Sequence, residues 1–237
     1  MTEQFKFNAI GVVRSCFKEK FGIPRQPGLI ESVESTIEIM PPYSQLDAFR
    51  GIEQFSHIWV IFVFHQNIDK QWRTTVRPPR LGGNARIGVF ASRSPFRPNP
   101  VGLSVVELLE ARPEGDRFIL RVQGADLLDD TPVLDIKPYI PYADAVDASH
   151  GYAQRPDQKL NTEFTEQAAR QVEASEQRLG QPVHALIEQM LSLDPRPAYR
   201  DDDSGDGIYG IRLFDFNLRF RVRGNVATVL ELEGNIN

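Results

Sequence analysis

The first 150 residues alternate short apolar runs with loops rich in proline and glycine, a pattern typical of β-structure. Residues 117–123 alternate most clearly, with Phe118, Leu120 and Val122 on one side. The eight-residue run HIWVIFVF, residues 57–64, predicts a strand buried on both faces at the centre of the sheet. Further strands are predicted at 5–15, 35–40, 74–76, 85–91, 101–109 and 132–136. Because no long helix separates these strands, they favour an antiparallel β-barrel or sandwich over a doubly wound sheet.

After Tyr152 the spacing of apolar residues becomes helical, following a linker at 153–159. Asn161 or Thr162 is predicted to cap a first helix, and Pro182 to begin a second. The predicted apolar stripe of the first helix consists of Phe164, Ala168, Val172, Ser175 and Leu179. Residues 209–223 and 226–232 read as a β-hairpin around Gly224-Asn225. The sequence therefore predicts an antiparallel β-barrel or sandwich domain at 1–155 and a small α+β domain at 160–237.

The 237-residue chain has a net charge of −5, but its charges are unevenly distributed. Residues 71–106 contain six arginines and no Asp, Glu or Lys, so this window carries +6 and the remainder of the chain −11. The arginines are Arg73, Arg77, Arg80, Arg86, Arg93 and Arg97. Because an anionic ligand responds to local potential, the window predicts an anion-binding surface. The alternative is a set of solvated strand ends that happen to carry arginine.

The stretch SRSPFRPNPVGLS, residues 92–104, combines this positive charge with three prolines. Proline fixes φ and pushes the preceding residue towards an extended conformation, so Arg93, Phe96 and Arg97 project from a stiff backbone. Such a loop loses little entropy on binding, which indicates a preorganised binding edge. A rigid turn with a purely structural role is the alternative interpretation.

The stretch DIKPYIPYAD, residues 135–144, is a second candidate for chemistry. Asp135 or Asp144 can act as a base, and Tyr139 and Tyr142 can form aromatic walls. Alternatively, Asp135 simply pairs with Lys137. A third candidate is His65-Gln66, although a lone histidine at a strand end is more often hydrogen-bonded scaffolding.

Several classes of protein are disfavoured. A single cysteine, Cys16, excludes an internal disulfide and a cysteine-cluster metal site. The four histidines lack metal-ligand spacing, and no phosphate-loop, dinucleotide or nucleophile-elbow motif is present, so we expect no metal. No apolar run approaches the ~20 residues of a membrane helix, and the N-terminus has no export signal. We therefore expect a cytoplasmic protein without membrane contact.

Seven blocks, in order, give the chain a family resemblance. They read IGVVRS, IPRQPGL, FSHIWVIFVFHQN, RPPRLGG, GVFASRSPFRPNPVGLSVVEL, TPVLDIKPYIPYAD and DPRPAYR, within residues 5–200. Together they resemble the TsaA-like, or TrmO, family of tRNA methyltransferases. The resemblance implies an S-adenosylmethionine-dependent enzyme that methylates N6 of N6-threonylcarbamoyladenosine beside the anticodon. It also implies a β-barrel cofactor domain and a homodimer.

The resemblance implies a set of cofactor contacts: Arg25, Gln26, Pro27, His65, Gln66, Arg93, Leu103, Asp135, Ile136, Lys137 and Pro138. For the anticodon loop we expect phosphate contacts from Arg73, Arg77 and Arg80, stacking from Phe96, Tyr139 or Tyr142, and an acyl-carboxylate contact from Arg97. The expected base is Asp135 or Asp144, with His65 third.

The sequence departs from the family at two points. Cys16 stands where relatives commonly have proline, and the stretch 201–207, DDDSGDG, is acidic although it lies in the domain that the resemblance implies is near tRNA. Two rival functions remain open at this stage: a non-catalytic RNA-binding barrel, and a small-molecule enzyme whose arginine loop holds a free nucleotide.

Overall fold

The computed structural model describes residues 3–81, 85–154, 160–196 and 207–234. Its first eight strands are β1 (Gly11–Arg14), β2 (Glu34–Ile39), β3 (His57–Val63), β4 (Thr75–Val76), β5 (Ile87–Gly88), β6 (Val101–Glu114), β7 (Arg117–Gln123) and β8 (Pro132–Pro138), followed by the short helix α1 (Pro141–Asp144). Six of them form a closed antiparallel barrel in the order β1-β2-β7-β6-β3-β8. The predicted antiparallel β-barrel is thus confirmed. β4 and β5 form a separate two-stranded ribbon.

The barrel is held by the inward side chains of its strands. Ile58 and Val60 of β3 are fully buried, as are Ile37 of β2 and Leu120 of β7. Burying such an aliphatic side chain stabilises the fold by roughly 1.5–3 kcal/mol. β6 pairs with β3 over its first half and with β7 over its second, with a register shift between Leu108 and Glu110. This long strand therefore joins β3 to β7 in the wall of the barrel.

Three predictions for this half were wrong in detail. β3 is buried on one face only, because a barrel wall has a single interior side and residues such as Trp59 and Ile61 point outward and are only half-buried. The strand predicted at 5–15 is regular only over Gly11–Arg14, and Phe5 and Phe7 are exposed. The strand predicted at 85–91 is limited to β5, after which Val89–Ala91 forms a 3₁₀ turn.

The C-terminal unit is a four-stranded sheet with two helices packed on one face. Its elements are β9 (Asn161–Phe164), α2 (Glu166–Leu179), α3 (Val183–Ser192), β10 (Ile208–Leu213), β11 (Phe216–Arg223) and β12 (Val226–Gly234). The sheet order is β10-β11-β12-β9, with β9 parallel to β12. The two helices and the sheet share one buried apolar cluster.

Two predictions in this unit also need correction. Asn161 and Thr162 belong to β9, and the actual cap of α2 is Thr165, whose side chain accepts a hydrogen bond from the Ala168 amide. The stretch 209–223 is two strands, because a turn at Phe214 and Asp215 divides it. The second helix does begin after Pro182, and β11 and β12 form the predicted hairpin, so both of these predictions are confirmed.

The loop between β1 and β2 joins the two units. Cys16, Phe17, Ile30 and Val33 pack into the C-terminal core rather than the barrel core. The loop also bonds to the barrel, where the Gly28 amide donates to the Gly124 carbonyl at 2.9 Å. This double attachment fixes a loop that carries three predicted site residues. The proposed domain boundary stays a prediction, since residues 155–159 lie outside the described ranges.

Candidate functional site

Two predicted loops meet through their side chains. Nη1 of Arg93 donates a hydrogen bond to Oε1 of Gln26, although 67 residues separate them in the chain. Pro27, next to Gln26, is half-buried, whereas Arg25 is exposed. The Gln26 loop is held by the Gly28–Gly124 hydrogen bond, and Gly28 adopts a φ of 70°, which favours glycine. The structure thus brings together the first loop and the proline-rich loop.

His65 and Gln66 begin a 3₁₀ turn directly after β3. The turn lies beside the start of β6, because the Phe64 amide donates to the Pro100 carbonyl at 2.8 Å. Nζ of Lys20 donates to Oδ1 of the buried Asn67, at 2.6 Å, and to the Gln66 carbonyl, at 3.4 Å. Burial lowers the pKa of His65, and the charge of Lys20 lowers it further. Histidine at this position is therefore neutral at pH 7.

Leu103 and Asp135 lie in one row on the outer face of the barrel. Both pair with Ile61 of β3, Leu103 from β6 and Asp135 from β8, and Leu103 is 52% exposed. Oδ2 of Asp135 lies 3.0 Å from Nζ of Lys137, so the ion pair considered as the alternative interpretation is present.

The rest of the DIKP segment extends away from His65. Lys137 pairs with Trp59 and Pro138 with Ile58, towards the opposite end of β3. Ile136 is the partner of Val60 and packs against the barrel core. The structure therefore groups Asp135 with Leu103 and leaves Pro138 apart from His65.

Asp144, the second candidate base, is anchored at the end of α1. Its Oδ2 accepts hydrogen bonds from Nε1 of Trp59, at 3.1 Å, and from the Ile140 amide, at 2.8 Å. The ring of Tyr139 lies 6.0 Å from that of Trp59, measured between centroids. Tyr142 is 90% exposed and makes no ring contact with another described residue. Asp144, Trp59 and Tyr139 thus form one cluster on the outer face, adjoining the row of Asp135.

The exposed arginines surround the ribbon of β4 and β5. Arg73, Arg77 and Arg86 are exposed, and within the described ranges none of them forms a salt bridge. The guanidinium of Arg73 lies 4.3 Å from the ring centroid of Phe96, and Nζ of Lys70 lies 5.9 Å from it. We call Lys70, Arg73, Arg77, Arg86 and Phe96 the basic surface. The side chain of Arg80 and the acidic residues 201–206 lie outside the described parts of the chain.

Arg97 is used inside its own loop. Its Nη1 donates to the Ser92 carbonyl at 2.7 Å and to the Val89 carbonyl at 3.2 Å, and its guanidinium lies 5.5 Å from the Phe90 ring centroid. The Ser92 hydroxyl donates in turn to the Val89 carbonyl at 2.8 Å. These contacts support the alternative interpretation, in which this part of the loop is a rigid turn with a structural role. A ligand that binds the Arg97 guanidinium would have to replace them.

Asp126 is a half-buried titratable residue that the sequence reasoning did not select. It follows β7, is half-buried, and accepts a 2.6 Å hydrogen bond from the hydroxyl of the buried Ser104, the neighbour of Leu103. Burial raises the pKa of Asp126 to about 6, while the Ser104 hydrogen bond and the charge of Arg93 oppose the rise. The available signal was an aspartate placed between two apolar residues, Ala125 and Leu127, both of which are buried.

Comparisons with known proteins cover both units of the chain. A family model described as the tRNA-methyltransferase O N-terminal domain matches residues 12–145, and the TrmO C-terminal domain model matches residues 157–235. A tRNA (adenine(37)-N6)-methyltransferase of Escherichia coli K12 is 50% identical over 231 residues, which is 97% of this chain and 98% of that protein.

A second relative is named as a putative S-adenosylmethionine-dependent methyltransferase, RcsF, of Pseudomonas aeruginosa. It is 51% identical over 228 residues, covering 95% of this chain and 96% of the relative. A crystal structure of TrmO from P. aeruginosa superposes with a TM-score of 0.83 at 43% identity, over 99% of this chain and 100% of that one. The similarity therefore extends from sequence to the arrangement of both units.

In the described ranges no three His, Cys, Asp or Glu side chains are grouped so as to hold a metal ion, and no helix is long and apolar enough to cross a membrane.

Proposed function

The chain belongs to the TrmO family of tRNA methyltransferases, and from this premise we propose that it transfers a methyl group from S-adenosylmethionine to N6 of adenine 37 in tRNA. The observation that carries the proposal is the match over nearly the full length of both chains to a relative named for that reaction. We further propose that the accepted base is N6-threonylcarbamoyladenosine, as the family resemblance implies.

The side chains around Gln26 and Arg93 suit this cofactor. S-adenosylmethionine, when bound, supplies a methyl group on a positively charged sulfonium sulfur. Arg93 and Gln26 offer polar contacts, His65 and Gln66 offer others at the end of β3, and Leu103 offers exposed apolar surface. We propose that these residues hold the cofactor. Because methyl transfer is an in-line displacement, their main contribution is to align donor and acceptor and to exclude water.

We propose Asp144 as the base that removes the N6 proton. The N6 lone pair of the modified base is delocalised into both the ring and a carbonyl, so loss of this proton aids attack. Oδ2 of Asp144 accepts hydrogen bonds from Trp59 and from the Ile140 amide, whereas Oδ1 has no partner among the described residues. In Asp135, by contrast, Oδ1 accepts from the Ile136 amide and Oδ2 pairs with Lys137. Asp135 is therefore second, and the neutral His65 third.

The basic surface supplies contacts to the anticodon loop in this proposal. Arginines that have no acidic partner among the described residues are suited to phosphate binding, and the exposed Trp72 adds an aromatic face for an unpaired base. Such a surface also fits a non-catalytic RNA-binding module. Calorimetry with S-adenosylmethionine separates the two functions, because a module that only binds RNA produces no heat.

We also propose a cytoplasmic homodimer. On the outer face of the barrel, Val101 of β6 is exposed beside its half-buried partner Val63 of β3, and a second copy would cover this apolar surface. Light scattering should give the mass of two chains, and Val101→Asp should give the mass of one. Leu46→Asp, at an exposed site elsewhere, is the matched control. A parent protein that remains monomeric at micromolar concentration would contradict the dimer.

The central experiment is methyl transfer in vitro. Purified protein is incubated with labelled S-adenosylmethionine and one of two tRNAs, which carry either adenosine or N6-threonylcarbamoyladenosine at position 37. Nucleoside mass spectrometry should find the methyl group on the threonylcarbamoylated base only. Methylation of both tRNAs would support methyl transfer but contradict N6-threonylcarbamoyladenosine as the required nucleobase. If both S-adenosylmethionine and tRNA bind but neither tRNA is methylated, the proposed methyltransferase activity is wrong.

A further inference from the structure

The loop between β1 and β2 carries three residues proposed to bind the cofactor, yet its backbone lies on the C-terminal unit. Phe21 and Ile23 are partly buried and pack against the C-terminal core, just before residues 25–27. Gly22, between them, has a φ of 90°, and a Cβ at this position would lie 2.6 Å from Cγ2 of Ile211 in β10. The approach to residues 25–27 is therefore in direct contact with the C-terminal sheet.

The start of this loop continues the edge of the C-terminal sheet. Phe17 forms an antiparallel bridge with Leu213 of β10. Two residues later, Oε1 of Glu19 accepts a hydrogen bond from the Arg212 amide at 2.8 Å. This end of the loop is thus fixed by a backbone pairing and by a side chain.

The end of the loop is held by one side chain of α3. Oε1 of Gln189 accepts three hydrogen bonds, from the Glu31 amide at 3.0 Å, the Ser32 amide at 3.2 Å and the Ser32 hydroxyl at 3.1 Å. Gln189 is half-buried, and 157 residues separate it from Ser32 in the chain. A single oxygen atom of the C-terminal unit therefore fixes the turn that follows the proposed cofactor residues.

These attachments have a consequence for binding. A ligand held by residues 25–27 and by the end of β3 contacts both this loop and the wall of the barrel. A loop that is already ordered loses less entropy when a ligand binds, so more of its contact energy contributes to affinity. The C-terminal unit supplies this order without contributing a side chain to the ligand contacts proposed above.

Resting on the proposed function, we infer that Gln189 is a positioning residue for S-adenosylmethionine: it orders the cofactor loop from the C-terminal unit. Glu19 has the same role at the other end of the loop. The affinity of the barrel for its cofactor then depends on the C-terminal unit. A merely structural role, in which these contacts only hold the two units together, predicts a loss of stability with no change in loop order or cofactor affinity.

The first measurement is hydrogen–deuterium exchange of the full-length protein without cofactor. Gln189→Met keeps the length of the side chain but removes the acceptor, so amides of residues 20–33 should exchange about 3- to 10-fold faster. Gln189→Glu keeps an acceptor oxygen and should retain the slow exchange of the parent. Peptides from β3 and β6 should exchange as in the parent.

The second measurement is cofactor affinity. Gln189→Met and Glu19→Ala should each weaken S-adenosylmethionine binding in calorimetry by about 3- to 10-fold, because binding must then order the loop. KM for S-adenosylmethionine should rise by the same factor while kcat is retained, since no group that contacts the reacting atoms is changed. Gln189→Glu should bind the cofactor as the parent does.

Two control variants separate loop order from stability. The Thr165 side chain caps α2 and donates to the Leu230 carbonyl at 2.8 Å, so Thr165→Ala destabilises the C-terminal unit through contacts that lie within it. Glu188→Gln changes an exposed neighbour of Gln189 on α3. Both should leave loop exchange and cofactor affinity unchanged. Thermal unfolding of every variant verifies that it is folded.

The outcomes distinguish the inference from the function on which it rests. Unchanged loop exchange or unchanged cofactor affinity in Gln189→Met would overturn the inference, and so would an equal loss of affinity in Thr165→Ala. If the parent protein binds no S-adenosylmethionine, the proposed function fails, and the exchange data, measured without cofactor, still decide whether Gln189 orders the loop.

Discussion

Arg93 donates a hydrogen bond to Gln26 across 67 residues of chain, and this contact joins the proline-rich loop to the loop between β1 and β2. The second loop is itself attached to both units, through Gly28 on the barrel side and Ile30 in the C-terminal core. The position of Arg93 therefore depends on the packing of the whole chain.

The first prediction concerns Gln26, which we expect to act by orienting Arg93. Gln26→Ala should weaken S-adenosylmethionine binding by about 5- to 10-fold, since a hydrogen bond to a charged group contributes about 1.5–3 kcal/mol and water partly replaces the lost acceptor. Gln26→Glu keeps an acceptor and should retain most of the affinity. Calorimetry gives both values, and an unchanged affinity in Gln26→Ala would show that the contact is not needed.

The second prediction separates the two candidate bases. In single-turnover assays, Asp144→Asn should lower the rate of methyl transfer by about 10²–10⁴, the usual contribution of general-base catalysis, with cofactor affinity retained. Asp135→Asn should change the rate less, because its carboxylate is already paired with Lys137. A large loss in Asp135→Asn alone would reverse the assignment. Unchanged rates in both variants would eliminate carboxylate base catalysis.

The fold class was predictable from the sequence because it depends on local patterns. Short alternating strands and proline-rich loops indicated an antiparallel barrel or sandwich, the family resemblance indicated the barrel, and the apolar spacing after Pro182 indicated α3. β9 was not predictable in this way. Phe164 fits the apolar stripe of the following helix, and only pairing with β12, some 65 residues later, makes Asn161–Phe164 a strand.

The sequence predicted which residues belong to the candidate site better than it predicted their hydrogen-bond partners. Sequence reasoning selected Arg93 and Gln26 without a basis for their contact, and it could not foresee that Arg97 bonds to carbonyls of its own loop. Asp126 was missed because a single aspartate in an apolar stretch has no motif. Its importance depends on Ser104, which lies 22 residues earlier and faces it only in the folded barrel.

The third prediction concerns the basic surface. Arg73→Ala, Arg77→Ala and Arg86→Ala should each weaken tRNA binding and lower the slope of log affinity against log salt by about 1, because each removes one phosphate contact. Arg50→Ala is the matched control, since that arginine is exposed but paired with Asp47. Filter binding between about 50 and 200 mM salt measures the slopes. If all three variants have the same slope as the parent protein, tRNA does not bind to this surface.

The last prediction uses the ionisation of Asp126 as a measure of stability. Burial raises its folded pKa to about 6, above the ordinary aspartate value of 3.8, so the folded protein binds the proton more tightly than the unfolded chain does. Its contribution to the free energy of unfolding is therefore full below pH ~4 and is lost as pH rises through about 6. Above pH 7, the ionised group costs about 1–3 kcal/mol relative to its protonated form.

Asp126→Asn cannot ionise, so it should be more stable than the parent at pH 7.5, and the difference should shrink by about 1–3 kcal/mol at pH 4.5. Urea unfolding without cofactor, at both pH values, measures this difference. A stability difference independent of pH would mean that the folded pKa of Asp126 is not raised.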